Sequence, residues 1–146
     1  MKKTTNIISI VLILLYIEFM IIGWKSFPEK VPTHFGMNGV ADSYGGRSSL
    51  LIEPAVMLGL FLLLAIVENF PRLWNIPVEV TEDNAAEIER ICHGLFGIIK
   101  VTAVVLCAIT GLMCIYSGFP VWPMWTLVAV IVVTIAVSIY RIFRCS

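Results

Sequence analysis

Residues 7–23 read IISIVLILLYIEFMIIG, and residues 50–67 read LLIEPAVMLGLFLLLAIV. Each run carries one carboxylate, Glu18 or Glu53, among side chains that water solvates poorly. About 20 residues of helix cross a ~30 Å hydrocarbon layer, so runs of this length and character belong in lipid. Within lipid the backbone must satisfy its own hydrogen bonds, which selects the helix. Two later runs have the same character. The chain therefore reads as an all-α membrane protein, a four-transmembrane-helix bundle forming one integral-membrane domain over 1–146. Its helices are expected at about 7–23, 50–67, 84–117 and 124–143.

Composition agrees. The chain is 59% hydrophobic and 14% charged, against about 25% charged in a soluble domain. Its mean hydropathy is +0.94. The formal net charge is zero, which removes the case for nucleic acid as a partner. Lys2-Lys3 before the first run suggests a signal peptide, but the run is long, contains Glu18 and lacks a small-x-small cleavage site, so a retained first helix is expected. The four cysteines include no C-x-x-C pair and none lies in the long polar loop, so small apolar fillers are expected rather than a disulfide framework.

Lys and Arg set the orientation. With the N-terminus inside, Lys2, Lys3, Arg72, Arg90, Arg141 and Arg144 are cytoplasmic, and Lys25, Lys30 and Arg47 are outside. Trp24, Tyr116, Trp122 and Trp125 then gather at the outer ends, as an aromatic belt requires. Both termini are expected in the cytoplasm of a bacterial cell, with the protein multi-pass in its plasma membrane. The loop at 68–83 is acidic and cytoplasmic. Asn84-x-x-Glu87 fits a capping box that opens the third helix. Ala103, Cys107 and Gly111, at spacing four, form a ridge of small residues that admits a close neighbour. Lys100 is expected to snorkel to the inner surface, and His93 to be solvated or interfacial there.

The extracytoplasmic loop 25–49, 25 residues between helices 1 and 2, is long for a compact protein and carries the specialised residues. Asn38-Gly39 is a tight-turn pair, able to join a short β-hairpin, whose register stays open. His34, Asn38, Asp42, Tyr44 and Arg47 are its polar groups, and Glu18 and Glu53 enter the membrane near its two ends. Ligand binding through these seven side chains is the expectation. His34 with Glu18 and Glu53 also makes a candidate metal site, although the spacing is not diagnostic and no motif names a cofactor. A folded cap whose His and Asp only satisfy local groups is the plainer alternative.

Pro32, His34, Phe35, Gly39, Asp42, Tyr44, Gly45 and Arg47 carry a resemblance. This Pro-x-His-aromatic loop resembles a domain of unknown function in small bacterial membrane proteins, shared with SdpI-type toxin-immunity proteins. Tyr44 and Arg47 stand where Trp and Lys are usual there. The resemblance extends through Trp74-Asn75-Ile76-Pro77 and Thr81-Glu82-Asp83-Asn84 to Lys100. It implies recognition of a peptide toxin or envelope component, as in immunity or sensing, and no agreed enzymatic activity. The immunity proteins of this type are longer, with further spans. Two other readings compete: a metal-dependent membrane enzyme on His34, Glu18 and Glu53, and a small proton-coupled exporter on Glu18. Lipid is the expected environment, and a homo-oligomer is compatible with the sequence.

Overall fold

A computed structural model describes residues 2–116 and 118–145. Among the described residues four helices are long and apolar enough to cross a membrane: α1 (Lys2–Gly23), α2 (Ile52–Asn69, entered through a 3-10 turn Arg47–Leu51), α3 (Ala85–Ile115) and α4 (Trp122–Arg144). The chain is a multi-pass membrane protein by this architecture. Between α1 and α2 lies a two-stranded antiparallel hairpin, β1 (Lys30–Phe35) and β2 (Ala41–Gly46). The third helix was expected to reach 117; α3 ends at Ile115, and residue 117 lies outside the described residues.

α3 is the hub, packed against α1, α2 and α4. Its 31 residues extend about 46 Å at 1.5 Å per residue, more than a ~30 Å hydrocarbon layer needs. The surplus lies in its first turns, where Glu87, Glu89, Arg90 and His93 cluster. The outward faces of the other helices are apolar, with Leu14, Leu62 and Val132 all exposed. That pattern suits lipid contact, because lipid tails solvate leucine as well as a core does.

One apolar cluster joins α1, α2 and α3 and continues into the base of the hairpin. Tyr16, Met20, Phe27, Val31, Leu50 and Met57 are buried in it. Phe27 stacks near Phe19, ring centroids 5.4 Å apart. The hairpin is therefore seated on one end of the bundle rather than hung from it. A second cluster at the hairpin-distal end holds Ile88, Ile91, Cys92 and Ile142, with Trp74, Ile76 and Val78 folded against it.

The small-residue ridge of α3 faces α1. A Cβ added at Gly111 would fall 1.9 Å from Tyr16 Oη, and one at Gly97 would meet Thr5 at 3.0 Å. The expected capping box does not form. Asn84 already has helical dihedrals, φ −106° and ψ −13°. Its side chain turns back, accepting from the Thr81 N–H at 2.8 Å and donating to the Glu79 carbonyl at 3.1 Å. Glu87 is drawn away to Arg90 at 2.7 Å and Arg141 at 3.1 Å, where two guanidiniums compete with a single N–H. The four cysteines are free thiols.

Gly111→Leu should destabilise the bundle by about 1–3 kcal/mol through overpacking against Tyr16, and by more than Leu112→Ala. Thermal unfolding in detergent measures both. An equal or smaller loss for Gly111→Leu would mean that α1 does not close on this ridge.

Candidate functional site

The hairpin departs from a regular ladder around His34. Pro32 pairs with Tyr44, His34 with Ser43 and Phe35 with Ala41, leaving Thr33 and Asp42 as extra residues on their strands. Pro32 has no N–H to donate to the ladder, so the regular pairing is already weakened where the bulge begins. The double irregularity brings His34 and Asp42 together, Nδ1 to Oδ1 2.6 Å. A regular two-residue turn would set them on opposite faces.

The turn itself spans residues 36–40. Gly36 N–H donates to Val40 O at 2.9 Å, and Asn38 Oδ1 accepts from Val40 N–H at 3.1 Å. Gly39 has φ +75°, the left-handed region that glycine enters without strain. It also lies against the start of α4, since a Cβ there would meet Val121 at 2.2 Å. Arg47 acts at the base: its N–H donates to Glu29 O at 2.9 Å and its Nε to Pro28 O at 3.4 Å. Tyr44 is exposed, with Lys30 Nζ 5.3 Å from its ring centroid.

The residues singled out from the sequence thus separate. His34 and Asp42 meet each other. Asn38 and Arg47 hold backbone. Glu53 is half-buried in the first turn of α2 and accepts from Thr110 Oγ1 at 3.1 Å. Glu18 is exposed on α1, away from the bundle. The structure does not gather Glu18, His34 and Glu53 into a metal centre. Among the described residues no group of three His, Cys, Asp or Glu side chains is placed to hold an ion. The physical reason is that each has a nearer neighbour or none: Asp42 for His34, Thr110 for Glu53, open surface for Glu18.

What the hairpin does create is a cleft of about 350 Å³ between itself and the adjoining end of α3. Lys30, Phe35 and Tyr44 line it from the hairpin, Met113, Cys114 and Phe119 from below. A smaller recess of about 80 Å³ adjoins it through Pro32 and Cys114 and contains Thr33, Ser49 and Glu53. The recess carries the Glu53 carboxylate and the adjoining cleft the Phe35, Tyr44 and Phe119 rings, so the pair of cavities is amphipathic.

A denser polar site lies at the other end, where sequence reasoning placed nothing. Lys100 was expected to snorkel, yet it is 0% exposed. Its ammonium donates to Glu68 Oε2 at 2.6 Å and to Asn6 Oδ1. Glu68, in the last turn of α2, is likewise 0% exposed. Snorkelling lost because a neighbouring helix supplied a carboxylate at the same depth. Of the two expectations for His93 the interfacial one fits, its side chain being 22% exposed. Its Nδ1 is 3.4 Å from Glu68 Oε1, its Nε2 is 3.4 Å from Glu89 Oε1, and Trp74 stands perpendicular to the ring at 5.4 Å. Trp74 is itself fixed by Nε1–H donating to Val67 O at 2.8 Å. The available signal was that Asn6, Glu68 and Lys100 are polar groups lying toward the hairpin-distal ends of their apolar runs.

Residues 11–58, covering most of α1, the hairpin and the start of α2, match a domain of unknown function, DUF1648. An uncharacterized protein of Archaeoglobus fulgidus is 35% identical over 80 residues, 49% of this chain and 42% of that protein. The chain thus spans less than half the length of that curated relative. No solved structure matches the chain.

The exposed His34–Asp42 pair should contribute little to stability, with a coupling below about 1 kcal/mol between His34→Ala and Asp42→Ala. Thermal unfolding of the two single variants and the double variant measures it. A larger coupling would mean that the pair is screened from water in the folded protein.

Proposed function

We propose that this is a membrane-embedded recognition protein whose hairpin faces outward and takes a peptide or envelope component into the cleft beneath it, as in toxin immunity or sensing. The observation that carries the reading is the cleft between Tyr44 and Phe35 above and Met113 and Phe119 below. Aromatic side chains offer rigid apolar contact area, and methionine adapts its shape to varied apolar partners. Glu53 in the adjoining recess selects a cationic group, because a half-buried carboxylate with one hydroxyl donor has acceptor capacity to spare. The ligand expected is therefore a peptide that combines apolar side chains with a basic one. His34, Asn38 and Asp42 form the rim of the hairpin and supply polar contacts.

Orientation follows from charge. The hairpin-distal end holds Lys2, Lys3, Arg72, Arg90, Arg141 and Arg144, and the hairpin end holds Lys25, Lys30 and Arg47, which supports cytoplasmic termini in a bacterial plasma membrane. The resemblance of the Pro32–Arg47 loop to SdpI-type immunity proteins supports the same class of function.

Panning a random peptide library against the protein in nanodiscs tests the reading. The enriched peptides should carry aromatic and basic residues and bind at least tenfold more weakly to Tyr44→Ala and Glu53→Gln. Enrichment of peptides that bind both variants as well as the original chain would overturn it.

A further inference from the structure

Both nitrogens of His93 face a carboxylate oxygen. Nε2 is 3.4 Å from Glu89 Oε1, and Nδ1 is 3.4 Å from Glu68 Oε1. A neutral imidazole carries one N–H, so its other nitrogen would direct a lone pair at an acceptor that has only lone pairs to offer. An imidazolium donates from both nitrogens and suits both neighbours. Glu68 Oε1 and His93 Nδ1 are buried and have no hydrogen-bond partner among the described residues, a costly state that one proton would relieve.

Exposure falls along the array. The side chain of Glu89 is 60% exposed, His93 22% and Glu68 0%. Beyond Glu68 lies Lys100, also 0% exposed, which reaches Asn6 of α1. The array thus runs from the surface into the bundle and touches three helices.

We propose that His93 is a proton-binding residue whose doubly protonated ring bridges surface Glu89 to buried Glu68, giving this protein an acid–base site at its hairpin-distal end. The proton arrives from water at the Glu89 surface and binds the free lone pair of the ring; no covalent bond breaks. Uptake raises the net charge of the array by one. The two N–H···O contacts should then shorten toward the ~2.8 Å of charge-assisted bonds. Glu68 becomes shared between His93 and Lys100, so the proton alters the link between α2 and α3. The groups facing the ring are Glu68 from α2, Glu89 from α3 and Trp74 from the 70–84 segment, with Lys100 and Asn6 acting through Glu68. Arg90 and Arg141 are engaged by Glu87.

The chain has two histidines, so His34→Gln leaves His93 as the single ring for ¹⁵N NMR in nanodiscs. Lowering the pH through the histidine range should convert both ring nitrogens to the N–H form. The same interval should bring a loss of Trp74 emission, read as the difference from Trp74→Phe. Glu89→Gln, an exposed substitution that leaves the bundle intact, should move both steps toward acid, because the ring loses one of two anions favouring its charge. A His93 step at the same pH in Glu89→Gln, or one without any change in Trp74 emission, would overturn the proposal. The measurement needs no ligand, so its outcome is independent of the cleft reading.

Discussion

An ammonium group within an apolar span must find an anion or reach water, and in this protein Lys100 finds an anion. Its partner Glu68 belongs to α2 and its second acceptor, Asn6, to α1, so a single side chain on α3 ties that helix to two of the three packed around it. Desolvating two charges is expensive, and the pair need not add net stability over an apolar equivalent. Its consequence is specificity. Sliding α2 along α3 by one turn would strand a buried charge, and sliding α1 would take the Asn6 amide away from Lys100, so the three groups together fix the vertical register of the bundle. That register in turn sets Tyr16 on Gly111 and brings Val31 and Leu50 into the core below the hairpin.

With the helices held at one end by charge, the other end is held by packing. Phe27, Val31 and Leu50 anchor the hairpin, and Gly39 rests against Val121 at the start of α4. The cleft beneath Tyr44 exists because the hairpin is supported at its base and at its tip but not between them. The two ends thus divide the chemistry: an amphipathic cleft at the hairpin, and an array of titratable groups at the distal end.

The membrane architecture was legible because apolar length is a one-dimensional property, and a run such as 50–67 has no alternative burial. The hairpin was legible from Asn38-Gly39, whose turn geometry is local. Its register was not, since the bulges at Thr33 and Asp42 depend on which cross-strand partner each residue meets. Lys100 was misread, and the partners of His93 were missed, for a related reason. Snorkelling is an inference about one helix, whereas their environment is set by Glu68, 32 residues before Lys100 in the chain. The expected convergence of Glu18, His34 and Glu53 failed because shared depth does not fix helix rotation: Glu18 faces outward, and Glu53 turns to Thr110.

A double-mutant cycle on Glu68 and Lys100 tests most directly whether this pair holds the bundle in register. In detergent, Glu68→Gln and Lys100→Met should each cost about 3–5 kcal/mol, because each leaves a buried charge unpaired. The double variant should be more stable than the sum of the two losses by about 2 kcal/mol or more. Two single losses below about 1 kcal/mol that simply add would contradict the account, showing both groups to be solvated and the helices held in register by packing alone.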